Sequence, residues 1–516
     1  MSSTASPIQC SNHHHLDYMF HPRSIAVVGI SADPPKFWIK RLYLDSLVKN
    51  GYPGQIYLVN PKGGEMDGLP LYRSLREIPG PVDHVVVSVP ALHTIKILEE
   101  CQDIGVRVVH VFSSGYSETG EPDRIALQNK LVEIARQGNM RIIGPNCVGI
   151  YYPRGRIGLS PDFPMESGPI GFLCQSGGNV NCVVRHAAAR GLRFSKVVSY
   201  GNACDINECD LLDYLADDPE TKIIAAYIEG AQDGRRLVNV LNKAASAKPA
   251  VVFKGGFTAG GLRAAASHTG SLAGADAVWD GLLRQTGAIR VYNVEEMVDM
   301  LVALLHVRPP KGFNTCVVGH GGGASVMATD ELERVGLRLG PIPPDIREKL
   351  KEFIDLANSM LRNPIDAGPI AAVDGFEIMG MMGNRHPVDF LRERAAAGPS
   401  KLWARLNATL KEWTGLDLVV YQHGFDISPI PADRLRIPGG TGALVLAARA
   451  CELPNAIVLH SMGNDNSWQA SSELRQLCAE WGLPVFLSMR GAATALRRLI
   501  DYNQTYPDRL SSLRVS

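Results

Sequence analysis

A lone histidine sits in a run of small residues, Ala264-Ala265-Ala266-Ser267-His268-Thr269-Gly270-Ser271-Leu272-Ala273-Gly274. Upstream lies Lys254-Gly255-Gly256-Phe257-Thr258-Ala259-Gly260-Gly261, so small residues flank the imidazole on both sides. The stretch predicts a mobile loop with little bulk around the ring. A neutral imidazole titrates near neutrality and can take up and release a transferable group without a strong base. The alternative is a glycine-rich linker with an incidental surface histidine; the segment alone leaves both readings open.

The elements before it supply partners for such chemistry. Gly168-Pro169-Ile170-Gly171-Phe172-Leu173-Cys174 reads as a strand running into Gln175-Ser176-Gly177-Gly178-Asn179 and then a helix. Free backbone N–H groups and the helix dipole make that turn an anion site; a plain tight turn with a polar N-cap is the alternative. A strand Ile223 to Ile228 ends in Glu229-Gly230. A carboxylate there could orient an imidazole through its ring N–H, or merely be solvated or cap a helix. The strand Pro249 to Phe253 then leads to His268. Ser176, Glu229 and the His268 segment thus follow three strands of one sheet and are expected on one edge.

The first third alternates short β-branched runs with amphipathic helices. Strands are predicted at Ser24 to Gly29, Gln55 to Asn60, Val82 to Val89, Val106 to Phe112 and Met140 to Gly144. Ile125, Leu127, Leu131, Ile134 and Ala135 mark the helix between the last two. Continuous apolar strands separated by helices predict a parallel sheet covered on both faces, with ligands at the carboxyl ends of the strands. The first strand runs into Gly29-Ile30-Ser31-Ala32-Asp33-Pro34-Pro35, which is not G-x-G-x-x-G and supports no ordinary NAD site. Asn60-Pro61-Lys62-Gly63-Gly64 and Ser113-Ser114-Gly115-Tyr116 follow later strands. Three polar turns on one edge could line an extended, phosphate-bearing ligand, with Lys62 as its cation; each taken singly is an ordinary strand-to-helix turn.

A third segment opens after Arg308-Pro309-Pro310-Lys311 with Cys316-Val317-Val318-Gly319-His320-Gly321-Gly322-Gly323, where His320 is a secondary candidate beside its structural reading. Later strands are expected at Leu416 to Tyr421, Ala456 to His460 and Pro484 to Leu487, and a helix at Ala492 to Leu499. Leu361 to Pro438, rich in Gly, Pro and Met, reads as a long insertion. The expected domains are 1–150, 151–308 and 309–516. Lys+Arg and Asp+Glu are equal at 52 each, so neither nucleic acid nor an anionic membrane is indicated as partner. No run of about 18 apolar residues predicts a spanning helix, and Met1 to Cys10 carries no signal-peptide pattern. The ten cysteines, without a CxxC pair, read as reduced thiols of a cytoplasmic protein. His13-His14-His15 reads as part of a terminal arm, and no metal site is expected.

Taken in order, Ile25-Ala26-Val27-Val28-Gly29, Val59-Asn60-Pro61-Lys62, Gly144-Pro145-Asn146-Cys147-Val148-Gly149, Gln175-Ser176-Gly177 and Ser267-His268-Thr269-Gly270-Ser271-Leu272-Ala273-Gly274 resemble the nucleoside-diphosphate-forming acyl-CoA synthetases, relatives of succinyl-CoA synthetase that include the ADP-forming acetate–CoA ligases. Leu211 to Pro219, Tyr227-Ile228-Glu229-Gly230 and Gly322-Gly323-Ala324 fit the same pattern, which covers residues 16 to 365 and is looser to the end. The resemblance implies an α/β architecture: a Rossmann-like CoA-binding domain followed by two flavodoxin-like CoA-ligase domains, with no ATP-grasp domain. It implies that phosphate attacks an acyl-CoA, that His268 takes the phosphoryl group from the acyl phosphate, and that a swinging loop passes it to ADP. By position Glu229 steadies the phosphohistidine, Ser176, Gly177 and Gly178 bind phosphate, and Ser31, Ala32, Asp33, Pro34, Lys62, Ser113, Ser114 and Gly115 contact coenzyme A.

The same resemblance implies the CoA- and histidine-bearing subunit of a hetero-oligomer, with Mg-ADP/ATP on an ATP-grasp beta subunit and a small carboxylic acid as co-substrate. Asn181 and Cys182 stand where the acid could be selected. A transferase, or a CoA-binding regulatory protein of the same architecture, is the competing expectation.

Overall fold

The computed structural model describes residues 16–30, 38–269, 275–319, 321–354, 361–383, 385–424, 439–460, 465–511 and 513. The chain divides into two compact units, residues 1–188 with 193–292, and residues 189–192 with 293–516. Among the described residues no helix is long and apolar enough to cross a membrane.

The first unit holds two sheets. One comprises β1 (Ser24–Val28), β2 (Gln55–Val59), β3 (Gly64–Met66), β4 (Leu69–Tyr72), β5 (His84–Val87), β6 (Val108–Val111) and β7 (Arg141–Ile143), in the order β3-β4-β2-β1-β5-β6-β7. Its β-branched strands pair in parallel, Val27 opposite both Leu58 and Val86. Side chains alternate between faces. Ala26, Val28, Val85, Val87, Val109 and Val111 join one buried core, while Val27, Val86 and Ser88 line a cavity on the other face. The sheet is not wholly parallel, as the sequence reading expected, because β3 and β4 form an antiparallel edge hairpin. Asp67-Gly68 turns it, with φ of 52° and 79°, the left-handed pair that two-residue hairpins require.

The second sheet comprises β8 (Gly149–Tyr151), β9 (Ile170–Cys174), β10 (Phe194–Ser199), β11 (Ile223–Ile228), β12 (Ala250–Lys254) and β13 (Ile289–Val291), in the order β13-β12-β11-β9-β10-β8. All pairs are parallel except β8 on β10. Since β9, β11 and β12 are neighbours, their carboxyl ends open on the same edge. Lys196 of β10 is buried, held by Asp218 at 2.9 Å and by the Tyr152 ring at 4.8 Å.

The second unit carries one parallel sheet of β14 (Thr315–Gly319), β15 (Ile365–Asp366), β16 (Leu418–Gly424), β17 (Asn455–His460) and β18 (Val485–Phe486), in the order β15-β14-β16-β17-β18. The insertion expected over Leu361 to Pro438 is, where described, part of this domain's frame. It supplies β15, β16 and the helices Gly368–Met382, Pro387–Arg394 and Lys401–Lys411. Ile365, Ile370, Trp403 and Leu406 are buried in the unit's core. The Gly- and Met-rich composition hid an apolar pattern that this packing reveals.

Candidate functional site

The turn after β9 is built as the sequence predicts. The helix Gly177–Ala188 begins two residues after the strand. Ser176 Oγ accepts from the Asn179 N–H at 3.4 Å and caps it. A Cβ on Gly177 would stand 3.0 Å from Val148 Cγ1, so a bare backbone lets that turn pack there. Gly178 faces open space, with Ser176 Oγ 3.9 Å from the site of its missing Cβ. The first N–H groups and the dipole of a twelve-residue helix point out of this turn, and among the described residues no hydrogen-bond partner is seen for the N–H groups of Gly177 and Gly178.

That turn closes one end of a cavity of about 520 Å³. Ser176, Gly177, Gly178, Asn146 and Asn181 line its polar end. Its other walls come from the first sheet and the helix Trp38–Asn50, among them Val27, Val86, Ser88, Leu42 and Tyr43. At the rim Arg185, eight residues along the helix, pairs with Asp162 at 2.8 Å. The guanidinium holds the Asp162 carboxyl down at about 2.

Beside the turn lies Glu229, 4% exposed at the end of β11. Gln175 fixes it: the Gln175 side-chain oxygen accepts from the N–H groups of Glu229 (2.8 Å) and Gly230 (3.4 Å). The Tyr227 hydroxyl donates to Glu229 Oε1 at 3.0 Å. Lys254 ends β12 opposite Ile228 and is 1% exposed. Burial pushes its ammonium below the usual lysine range, and the charge of Glu229 opposes that shift. Its Nζ donates to the carbonyl of Gly255 and lies 5.4 Å from the Trp279 ring centroid. Sequence reasoning missed Gln175, Tyr227 and Lys254 as members of the site; a lysine ending an apolar strand was the available signal.

The segment bearing His268 is helical to Thr269, where a loop was expected. The helix runs Ala259–Thr269. Thr258 caps it by accepting from the Gly261 N–H at 3.0 Å, and Ala264-Ala265-Ala266 have the highest helix propensity of any residue. Gly256, at φ +72°, lets the helix sit close: a Cβ there would be 2.9 Å from the Gly261 carbonyl oxygen and 3.0 Å from Ala265 Cβ. The helix packs against the 3-10 turn Ser117–Thr119 of the first sheet. The imidazole of His268 and residues 270–274 lie outside what is described.

The turns expected to meet coenzyme A differ in what they show. Ser31, Ala32, Asp33 and Pro34 lie outside the described residues. Lys62 is exposed, on a turn in which Asn60 Oδ1 accepts from its N–H at 2.9 Å. Ser113 donates to the carbonyl of Val89. The N–H groups of Gly115 (2.5 Å) and Tyr116 (3.1 Å) are taken by the Glu118 carboxylate, which also accepts from Asn202 Nδ2 at 2.5 Å. Neither Lys62 nor Ser113 to Gly115 lines the cavity.

Comparison with known proteins gives these features a common setting. Residues 23–153 match the family model described as CoA binding domain, and residues 167–304 the one described as succinyl-CoA ligase like flavodoxin domain. The chain is 39% identical to the acetate–CoA ligase [ADP-forming] I subunit alpha of Pyrococcus furiosus, over 70% of this chain and 78% of the relative. It is 36% identical to the acetate–CoA ligase [ADP-forming] of Methanocaldococcus jannaschii over 68% of this chain, spanning only 49% of that longer relative. Among solved structures it is similar to the dinucleotide forming acetyl-coenzyme A synthetase 1 of Ca. Korarchaeum cryptofilum in complex with phosphate and ADP. There the TM-score is 0.74 at 28% identity, covering 97% of this chain and 99% of that one. With a CoA-binding sheet, a flavodoxin-like sheet that presents Ser176–Gly178 and Glu229, and relatives of this identity and coverage, the chain belongs to the ADP-forming acid–CoA ligases, alpha-subunit-like members of the succinyl-CoA synthetase superfamily.

Proposed function

We propose that this chain is the CoA- and phosphohistidine-bearing part of an acid–thiol ligase that interconverts acyl-CoA, ADP and phosphate with carboxylic acid, CoA and ATP. One observation carries the reading: a single cavity is walled by strand ends of the CoA-binding sheet and by the Ser176–Gly178 helix start. A thioester held by the first sheet would thereby meet phosphate held by the second. Positioning and charge are what phosphoryl transfer asks of a protein.

The bonds balance in three steps. A phosphate oxygen attacks the thioester carbonyl, the C–S bond breaks, and CoA leaves as the thiol with the phosphate's proton. A ring nitrogen of His268 attacks the phosphorus of the acyl phosphate, and the carboxylate leaves with the bridging oxygen. A terminal phosphate oxygen of ADP then takes the phosphoryl group as the P–N bond breaks. Ser176, Gly177 and Gly178 orient the phosphate, and Glu229 holds the imidazole in one tautomer. Lys62 and Ser113 to Gly115, with Ser31 to Pro34, serve coenzyme A. His268, the proposed carrier, lies near the end of the Ala259–Thr269 helix, which residues 270–274 follow in sequence.

Nucleotide would bind an ATP-grasp partner subunit in the cytoplasm. The name "subunit alpha" of two Pyrococcus furiosus relatives supports a partner. Purified alone, the chain is expected to bind CoA and to show no acid-dependent ATP turnover. With the ATP-grasp chain from the same source and ATP, acid-labile, base-stable phosphate should accumulate on it. ATP-dependent acyl-CoA formation by the isolated chain would overturn the division of labour.

A further inference from the structure

Two lysines are buried in the second sheet, and they are neutralised differently. Lys196 is paired with Asp218 at 2.9 Å. Lys254, 1% exposed at the end of β12, pairs with no carboxylate among the described residues. Taking an ammonium out of water is costly unless other groups replace the water. Here two carbonyls and a ring do so. Its Nζ donates to the carbonyl of Gly255 and lies 3.5 Å from that of Gly256. The Trp279 ring centroid is 5.4 Å away. A ring face attracts a cation most where water is excluded, and Trp279 is 6% exposed. The charges of Glu229 and Asp276 favour the protonated amine; Arg290, itself paired with Asp276, opposes them.

These contacts fall at the two ends of one segment. Gly255 and Gly256 lead into the helix Ala259–Thr269 that carries His268, and Trp279 lies in the first turn of the next helix, Asp276–Thr286. Gly255 is seated in turn on the neighbouring strand: a Cβ there would stand 2.5 Å from Tyr227 Oη, the hydroxyl that donates to Glu229. One ammonium thus ties the chain's entry into the His268 helix, and its return after it, to the strand ends beside Glu229.

We propose that Lys254 is a positioning residue for phosphoryl transfer: its ammonium anchors both ends of the His268-bearing segment and so fixes where that segment starts and returns relative to Glu229. The consequence for catalysis rests on the acid–CoA ligase reading; the anchor itself does not. Lys254 acts through the backbone of Gly255 and Gly256 and through Trp279, not on a reacting atom. A misplacement of about 1 Å can cost about 100-fold in rate. A loosened anchor therefore shows in phosphorylation of His268, while CoA binding, which belongs to the first sheet, is spared.

The full-length chain is compared as wild type, Lys254→Met, Trp279→Leu and Trp279→Phe. Amide hydrogen exchange reads the helix Ala259–Thr269, calorimetry reads CoA affinity, and phosphohistidine formation is followed from ATP with the ATP-grasp chain from the same source. Lys254→Met keeps the stem and drops the charge. The amides of that helix should exchange about 10-fold faster or more, phosphohistidine should form about 10- to 100-fold more slowly, and CoA should bind within about 2-fold of wild type. Trp279→Leu should shift the same way, and Trp279→Phe, which keeps a ring face, should stay near wild type. Exchange and phosphorylation of Lys254→Met equal to wild type would overturn the proposal and leave the ligase reading standing. Faster exchange spread over both sheets, with CoA binding lost in step, would make Lys254 a part of the core alone and also overturn it. Where Lys254→Met does not fold, the Trp279 pair decides, and equal behaviour of Trp279→Leu and Trp279→Phe overturns the anchor. Wild type that takes up no phosphate would overturn the ligase reading, while exchange still decides the anchor.

Discussion

The side-chain oxygen of Gln175 accepts the backbone N–H of Glu229 at 2.8 Å. Gln175, which precedes the Ser176–Gly178 turn, thus holds in place the backbone of the residue that ends the neighbouring strand. Gln175 is 3% exposed and also serves the Gly230 N–H. Replacing it by Ala orphans two N–H groups, at about 1–3 kcal/mol for a buried unsatisfied donor. Gln175→Ala should therefore lower the urea midpoint and slow phosphorylation of the chain. A midpoint and a phosphorylation rate equal to wild type would count against the link.

His268→Ala is expected to abolish acid-labile, base-stable phosphate and net turnover while CoA still binds. Labelled phosphate that persists on the variant would place the phosphoryl carrier elsewhere.

Glu229→Gln keeps the shape and removes the charge. Loss of a positioned catalytic partner costs roughly 10- to 1000-fold in rate. Phosphohistidine should form that much more slowly, with a smaller change in CoA affinity. Rapid-quench kinetics matching wild type would make Glu229 a bystander.

Lys62 is exposed on the turn that follows β2. Lys62→Ala should weaken CoA by roughly 1.5–3 kcal/mol if a charge-assisted bond is lost, and dephospho-CoA by less if the partner is the 3′-phosphate. Equal losses for the two ligands, read by calorimetry, would remove that contact.

Glu208 gives the unit a pH signature. It is 1% exposed at the start of the helix Glu208–Asp217, and burial pushes its carboxyl up to about 7. A carboxyl raised on folding holds its proton to higher pH in the folded state. Its contribution is then fully present below the unfolded value near 4.5 and lost as pH rises through about 7. Glu208→Gln should flatten that slope and stabilise the protein at pH 8 by at most about 3 kcal/mol. Urea melts at pH 5, 6, 7 and 8 that keep the wild-type slope would assign it to another group.

What was legible in the sequence followed periodicity and chain order. β9, the Ser176-Gly177-Gly178 turn and Glu229 were readable because apolar runs end abruptly in polar or glycine residues. The His268 segment was misread to Thr269 because its glycines drew more weight than three consecutive alanines and a capping threonine. The edge hairpin was missed although Asp67-Gly68 is a strong turn pair. The 361–411 region hid its helices because Gly, Pro and Met mask the apolar spacing that buries Trp403 and Leu406. The apolar wall of the cavity could not be read, since Val27, Tyr43, Val86 and Leu159 come together only through tertiary packing.

The carboxylate of Glu118 already occupies the N–H groups of Gly115 and Tyr116. Any phosphate that docks on this turn therefore arrives by exchange, evicting a tethered anion that is present at a high effective concentration. The turn is thereby guarded against loose sulfate or inorganic phosphate, which bring nothing else to offset the eviction. A nucleotide-tailed ligand anchored elsewhere on the sheet can offset it. Once displaced, Glu118 would also give up its hydrogen bond from Asn202 Nδ2, while Gln128 Oε1, at 3.0 Å, still holds that amide.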